Sequence, residues 1–160
     1  MAVRPILTFP EYARILQARS LPVAAQDAGL TELLSDIGDT LLALPNAVGV
    51  AAPQIGINKR VFVLKKEYLK EGIDPVYAKR SGEVLYFVNP KVISTKGTLH
   101  EEEGCLSLPG KGVRLERARV VKVRAADENG KQIYERFEGL AARAIQQEID
   151  HLDGILIIDR

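Results

Sequence analysis

Cysteine is nearly missing from this chain: Cys105 is the only one. No internal disulfide can form, so a reducing compartment such as a bacterial cytoplasm or an organelle matrix fits best, and the thiol is free for other work. Long apolar runs are missing as well. Nothing approaches a membrane span, and the opening "MAVRPILTFPEYARILQARS" lacks a secretory apolar core, although its scattered arginines and single acid, Glu11, are compatible with a transit peptide. An excess of one charge is also missing. With 22 Lys+Arg against 21 Asp+Glu the net charge is +1, which provides no strong field for phosphate backbones or anionic lipid. Neither nucleic acid nor membrane is an expected partner. Internal repeats and low-complexity tracts are absent, which excludes solenoids and disordered arrays.

What is present suffices for a core. In 160 residues, 46% are hydrophobic and 27% charged, a balance that predicts a single domain spanning 1–160. Pro5, Pro10 and Pro22 break up the first thirty residues and leave room for a short helix around Glu11 to Gln17. From Thr31, a candidate N-cap, apolar residues from Leu33 to Leu44 recur at helical spacing until Pro45 stops them. Arg60 to Leu64 and Val84 to Val88 read as strands around a charged loop from Lys65 to Gly82, with Asn89 and Pro90 ending the second strand. Alternation over Val121 to Ala125 and again over Ile133 to Phe137, with "ENG" between, predicts a half-exposed hairpin. A helix from Leu140 to Leu152 follows, ended by Gly154, and "ILIID" reads as a short closing strand. Hairpin-joined strands with separate helices predict an α+β fold with mainly antiparallel sheets.

Three stretches can carry chemistry. In "NAVGVAAPQIG", residues 46 to 56, Gly49, Ala51 and Ala52 allow close backbone approach and Gln54 offers an amide; a tight packed connection is the plainer reading. In "EEEGCLSLPG", residues 101 to 110, Cys105 is a candidate metal ligand or nucleophile, or else an inert buried thiol. In "QQEIDHLDG", residues 146 to 154, Gln147 and His151 share one helix face with Glu148 beside them. This is the geometry of H-E-x-x-H, in which two histidines hold a metal and the glutamate takes a proton from water, but the first histidine is replaced. Alone, its plainer reading is a solvated charged face.

Together and in this order, "AVGVAAPQ", "EGCLS" and "QEIDH" resemble the three signature motifs of the peptide deformylases, G-x-G-x-A-A-x-Q, E-G-C-L-S and H-E-x-D-H. The resemblance runs from about Leu33 to Arg160. It implies antiparallel sheets packed around a central metal-site helix, and removal of the formyl group from the N-terminal formyl-methionine of nascent chains. One divalent ion is implied, Fe²⁺ first, with Zn²⁺, Ni²⁺ or Co²⁺ as alternatives. Cys105 and His151 fall on metal ligands, Gln147 on the remaining histidine, and Glu148 on the general acid/base. Gln54 and the Leu106 N–H fall on the oxyanion donors. Gly49, Val50, Leu140, Arg143 and Ala144 fall on substrate-binding positions, with Arg143 a charged departure in a methionine pocket.

Ala47, in place of the family's first glycine, matters only if that position needs positive φ. The sequence stops at Arg160, so no C-terminal ribosome-docking helix is expected. Gln147 is the main departure. An amide oxygen is a weaker ligand than imidazole for Fe²⁺ or Zn²⁺. Against a complete site worth on the order of 10 kcal/mol, losing one of three ligands costs roughly a hundred- to thousand-fold in affinity. His100, five residues before Cys105, is expected on the surface rather than as a substitute ligand. Two other readings follow: a non-catalytic relative that binds formylated or methionine-starting peptides, and a hydrolase with Cys105 as nucleophile and His151 as base.

Overall fold

A computed structural model describes residues 2–69 and 84–160. Seven strands and three α-helices are present among them: α1 (Ala13–Leu16), α2 (Leu30–Leu42), β1 (Gly49–Ala51), β2 (Val61–Lys65), β3 (Val84–Lys96), β4 (Leu99–Cys105), β5 (Leu108–Arg117), β6 (Val120–Ala126), β7 (Gln132–Glu138) and α3 (Gly139–Leu152). Strands β1-β2-β3-β6-β7 form one sheet, and β4-β5 form a separate ribbon. All pairings between these strands are antiparallel, and the isolated Leu21–Lys59 bridge is parallel, in line with the mainly antiparallel expectation.

The sheet is buried on both faces at its β2 end, which explains why "VFVLK" shows no alternation. On one face Phe62, Leu64, Phe87, Val121, Val123 and Phe137 pack against Ala142, Ile145 and Leu152 of α3. Phe62 and Phe87 stack at 4.4 Å between centroids, and Phe87 meets Phe137 at 5.8 Å. On the other face Val61, Val63 and Val88 pack against Leu33, Leu34, Ile37 and Leu41 of α2, the stripe whose helical spacing the sequence carries. A third cluster, Leu16, Leu108, Leu115, Leu156 and Ile157, fills the space behind the ribbon.

Several expectations need correction. Helix α2 begins at Leu30 with Gly29 as N-cap, not Thr31; the Asp27 carboxylate accepts from the Gly29 N–H at 2.8 Å. Strand β3 does not end at Asn89 and Pro90 but continues to Lys96 across register shifts. Asn89 adopts φ 50° there, and its amide bonds both backbone groups of Val23, so the kink is satisfied from outside the sheet. The β4–β5 ribbon is new, since charged residues and glycines hide its alternation. "ILIID" is a 3₁₀ turn over Ile157–Asp159 rather than a strand: the Asp159 carboxylate accepts from the Leu156 N–H at 2.9 Å while Leu156 and Ile157 enter the third cluster. Of the charged loop, Lys65 closes β2, Lys66–Leu69 form a 3₁₀ turn, and 70–83 lie outside the described residues.

Helix α3 matches expectation to within one residue at its start. Gly154 is left-handed at φ +74°, and a Cβ there would meet the Gln17 carbonyl oxygen at 2.6 Å. Gly154→Ala therefore combines backbone strain with a clash against main chain. We expect it to lower stability by roughly 2–3 kcal/mol, read as a lower urea midpoint at unchanged slope. Truncating the fully buried ring in Phe137→Ala is expected to cost about 3–5 kcal/mol by the same measurement.

Candidate active site

All three sequence stretches converge on one cleft of about 540 Å³, with Gly49, Gln54, Cys105, Leu106, Gln147 and Glu148 in its lining. Each arrives on a different element. Residues Gly49–Ala51 are β1, and Ala52–Ile55 turn immediately into a 3₁₀ helix that aims Gln54 inward. The Gln54 Oε1 accepts from the Ala51 N–H at 2.9 Å, which orients the amide so that Nε2 faces the Ser107 hydroxyl at 3.2 Å and the Cys105 sulfur at 3.9 Å. Cys105 closes β4, and the Leu106–Ser107 turn leads into β5. Helix α3 presents Gln147, Glu148 and His151 to the same place, and His151 Nε2 lies 3.3 Å from Cys105 Sγ.

Burial sets the electrostatics. Desolvation is the largest influence on Glu148, raising it to about 8, with Asp150 adding in the same direction. It lowers His151 to about 4 and raises the Cys105 thiol to about 12, outweighing the Ser107 and Leu108 N–H groups that favour a thiolate. Of the buried polar atoms without a hydrogen-bond partner among the described residues, three belong to this site: Arg143 Nε, Glu148 Oε2 and His151 Nδ1. Orphaned atoms of this kind mark a place where a reactant or ligand completes the bonding.

Beneath the cleft lies a buried charge network whose carboxylates are the Glu that opens "EGCLS" and the Asp of "QEIDH", while its cation, Arg117, has no signal in the sequence. The Arg117 guanidinium donates to both Glu103 oxygens at 2.8 Å and to Asp150 Oδ2 at 2.6 Å. Glu103, Arg117 and Asp150 are each under 10% exposed, at 6%, 4% and 6%. Gln147 joins this network: its Nε2 donates to Glu103 Oε1 at 2.9 Å and to the Gly104 carbonyl at 3.2 Å. Both partners are acceptors, so the amide orientation is fixed and Oε1 is the atom left for another partner.

Other expected residues divide. Leu140, Arg143 and Ala144 line the cleft, with the Arg143 guanidinium drawn toward Glu103 at 3.4 Å and the Glu102 carbonyl at 3.3 Å. Val50 does not line it; its side chain is fully buried in the α2 cluster because β1 is covered on both faces. Ala51 and Ala52 are likewise core residues. Gly49 is a point of close approach, but to protein: an added Cβ would meet Leu64 Cδ2 at 2.5 Å, the Val63 carbonyl at 2.9 Å and Glu148 Cγ at 3.3 Å. Ala47 is not at positive φ, so its loss of glycine is harmless there. His100 is half exposed and pairs with Glu116 across the ribbon.

The donor set can be tested against a metal ion. Ligands at about 2.3 Å (S) and 2.0–2.1 Å (N) around one tetrahedral centre stand roughly 3.5 Å apart, close to the observed sulfur–nitrogen separation. A cation there also reverses the burial effect on the thiol. Among the described residues no group of three or more His, Cys, Asp and Glu side chains is disposed to hold a metal ion, consistent with Gln147 where a third strong ligand would stand. Cys105 and His151 fit such an ion, and the Gln147 amide oxygen fits as a weaker third donor.

An α+β scaffold holding a thiol–imidazole pair, a buried carboxylate and an amide donor in one cleft has the make-up of a metal-assisted hydrolase. The polypeptide deformylase family pattern matches residues 3–160. The chain is 41% identical to a peptide deformylase of Phenylobacterium zucineum over 99% of this chain and 88% of that one. It is 36% identical to one of Thermodesulfovibrio yellowstonii over 100% and 90%. A crystal structure of peptide deformylase from Thermotoga maritima superposes with a TM-score of 0.83 at 33% identity, covering 100% of this chain and 98% of that one. The chain belongs to the peptide deformylase family and is an enzyme of that family. One catalytic metal ion and formylated nascent peptides as substrates come with that membership.

The network predicts its own sensitivity. Glu103→Ala leaves Arg117 buried with half its partners removed, and it should cost about 3–5 kcal/mol of unfolding free energy. Glu103→Gln, which keeps the shape and one acceptor, should cost clearly less. Equal urea midpoints for the two variants would contradict a charge-based role.

Proposed function

We propose that this enzyme hydrolyses the N-formyl group of N-terminal formyl-methionine on newly made chains, with a divalent ion, Fe²⁺ foremost, held by Cys105, His151 and the Gln147 amide oxygen. The observation that carries the reading is the 3.3 Å approach of Cys105 Sγ to His151 Nε2 beside the unpartnered Glu148 Oε2. The ion, when bound, supplies Lewis acidity to the formyl carbonyl and acidifies the attacking water. The side chains do the rest. Glu148 Oε2 takes the proton from that water and returns it to the departing amine, so its lack of a protein partner leaves it free for both transfers. Gln54 Nε2, locked by the Ala51 N–H, and the Leu106 N–H are the donors toward the developing oxyanion.

Selectivity follows from the walls. A formyl group is the smallest acyl group, and Gly49, which has no room for a Cβ against Leu64 and the Val63 carbonyl, keeps β1 close beside Glu148 at the cleft wall. Leu140, Ala144 and the alkyl stem of Arg143 supply apolar surface for the methionine side chain, with the Arg143 charge turned toward Glu103.

The test measures metal content and turnover of formyl-Met peptides with added Fe²⁺, Ni²⁺ or Co²⁺. Turnover with at least one metal is expected, and none with all three sinks the proposal. Gln147→His should tighten metal binding roughly a hundred- to thousand-fold in a chelator competition. Glu148→Gln should retain the metal yet lower kcat by at least about 10²-fold. Peptide binding with no turnover and negligible metal would instead assign the chain as a peptide-binding relative. Activity that survives strong chelation would point to Cys105 as a nucleophile with His151 as base.

A further inference from the structure

The near-neutral net charge conceals a segregated one. Helix α2 covers one face of the sheet only at the β1-β2-β3 end, where Val61, Val63 and Val88 meet it. Beyond Val88, paired with Ala126, no element among the described residues covers the same face, and it changes character. Lys91 lies opposite Arg124, and Arg124 opposite Tyr134. One pair further along, Ser94 lies opposite Lys122, and Lys122 opposite Arg136; Lys96 ends the row on β3. Directly opposed residues on neighbouring strands share a face, so these side chains stand on one surface. Lys91, Lys96, Arg124 and Arg136 are exposed, and Lys122 is half-buried because it lies over the Tyr134 ring at 4.4 Å. Glu138, the acid on these strand positions among the described residues, is occupied by an ion pair with Arg136. Tyr134 is 53% exposed at the centre of the cations.

We propose that this uncovered half of the sheet is a docking surface for single-stranded RNA. Two features select that partner. Cations on neighbouring strands and at alternate positions recur at roughly 5–7 Å, a spacing that suits successive backbone phosphates. An exposed aromatic ring among them offers a base a stacking surface, the combination by which flat sheets hold unpaired strands. Long-range steering by net charge is weak here, so binding is local and of modest affinity, and it depends on salt through the few phosphates engaged. The surface is distinct from the cleft: none of its residues lines it.

Fluorescence anisotropy of the full chain with a labelled ten-nucleotide single-stranded RNA tests this. We expect roughly micromolar binding at 50 mM salt, weakening with a log–log slope of about −3. Lys122→Glu/Arg124→Glu should weaken binding at least ten-fold while circular dichroism and peptide deformylation stay unchanged. Lys91→Glu/Lys96→Glu, on a different strand, provides the same reading if the first pair does not fold. Tyr134→Ala should weaken binding about ten-fold and leave the salt slope intact. Absence of binding at 50 mM salt, or binding indifferent to both charge reversals, overturns the proposal. So does capture by anionic phosphatidylserine vesicles without RNA binding, which would make the surface a membrane contact. RNA binding is read by anisotropy, which does not depend on metal loading, so failure here leaves the deformylase reading untouched.

Discussion

The rest of the site depends on one buried cation. Arg117 reaches Glu103 on β4 and Asp150 on α3 with three short hydrogen bonds, and so joins the ribbon that carries Cys105 to the helix that carries His151. Burying three charges is costly, and such a cluster is poor evidence of stability by itself. Its value lies in geometry. Full hydrogen bonding is available in one relative placement of ribbon and helix, and in that placement sulfur and imidazole nitrogen come within 3.3 Å. A looser apolar contact between the two elements would not specify their register so closely.

The same carboxylate gives Gln147 its meaning. Glu103 accepts from Arg117 and from the Gln147 amide, so the helix still supplies an N–H donor to the network, as an imidazole in that position also can. With Nε2 committed to Glu103 and Gly104, the amide oxygen is the atom Gln147 has left for the ion of the proposed function. The effect is therefore expected on metal affinity rather than on folding.

Close packing of the main chain completes the assembly. The N-terminal segment is stitched to two motifs at once, with the Leu7 N–H donating to the Gln54 carbonyl at 2.8 Å and the Phe9 N–H to the Ser107 carbonyl at 2.9 Å. Gly49 brings β1 against Val63 and Glu148, and Gly154 brings the end of α3 against Gln17. Behind these contacts, Phe62, Phe87 and Phe137 hold sheet and helix together, with the hydrophobic burial that offsets the polar cost of the site.

Much of this was legible in the linear chain. The Leu-rich stripe of α2, the β6–β7 hairpin, the extent of α3 and its glycine stop all follow from local periodicity and turn chemistry, which neighbouring residues determine. The residues of the site, Gln54, Cys105, Leu106, Gln147, Glu148 and His151, were visible through the resemblance of three short motifs to those of the family, since each stretch alone kept a plainer structural reading. What the tertiary structure alone decided is longer-range. It folded the charged stretch around Glu101 to Glu103 into a ribbon, turned "ILIID" into a 3₁₀ turn, carried β3 past Asn89 and Pro90, and sent Val50 into the core instead of the cleft. It also placed Arg117 between two carboxylates from residues 103 and 150, and gathered cations from three strands onto one face. Those outcomes depend on which strand edge, carbonyl or charge arrives from a distant part of the chain, and no local pattern encodes that arrival.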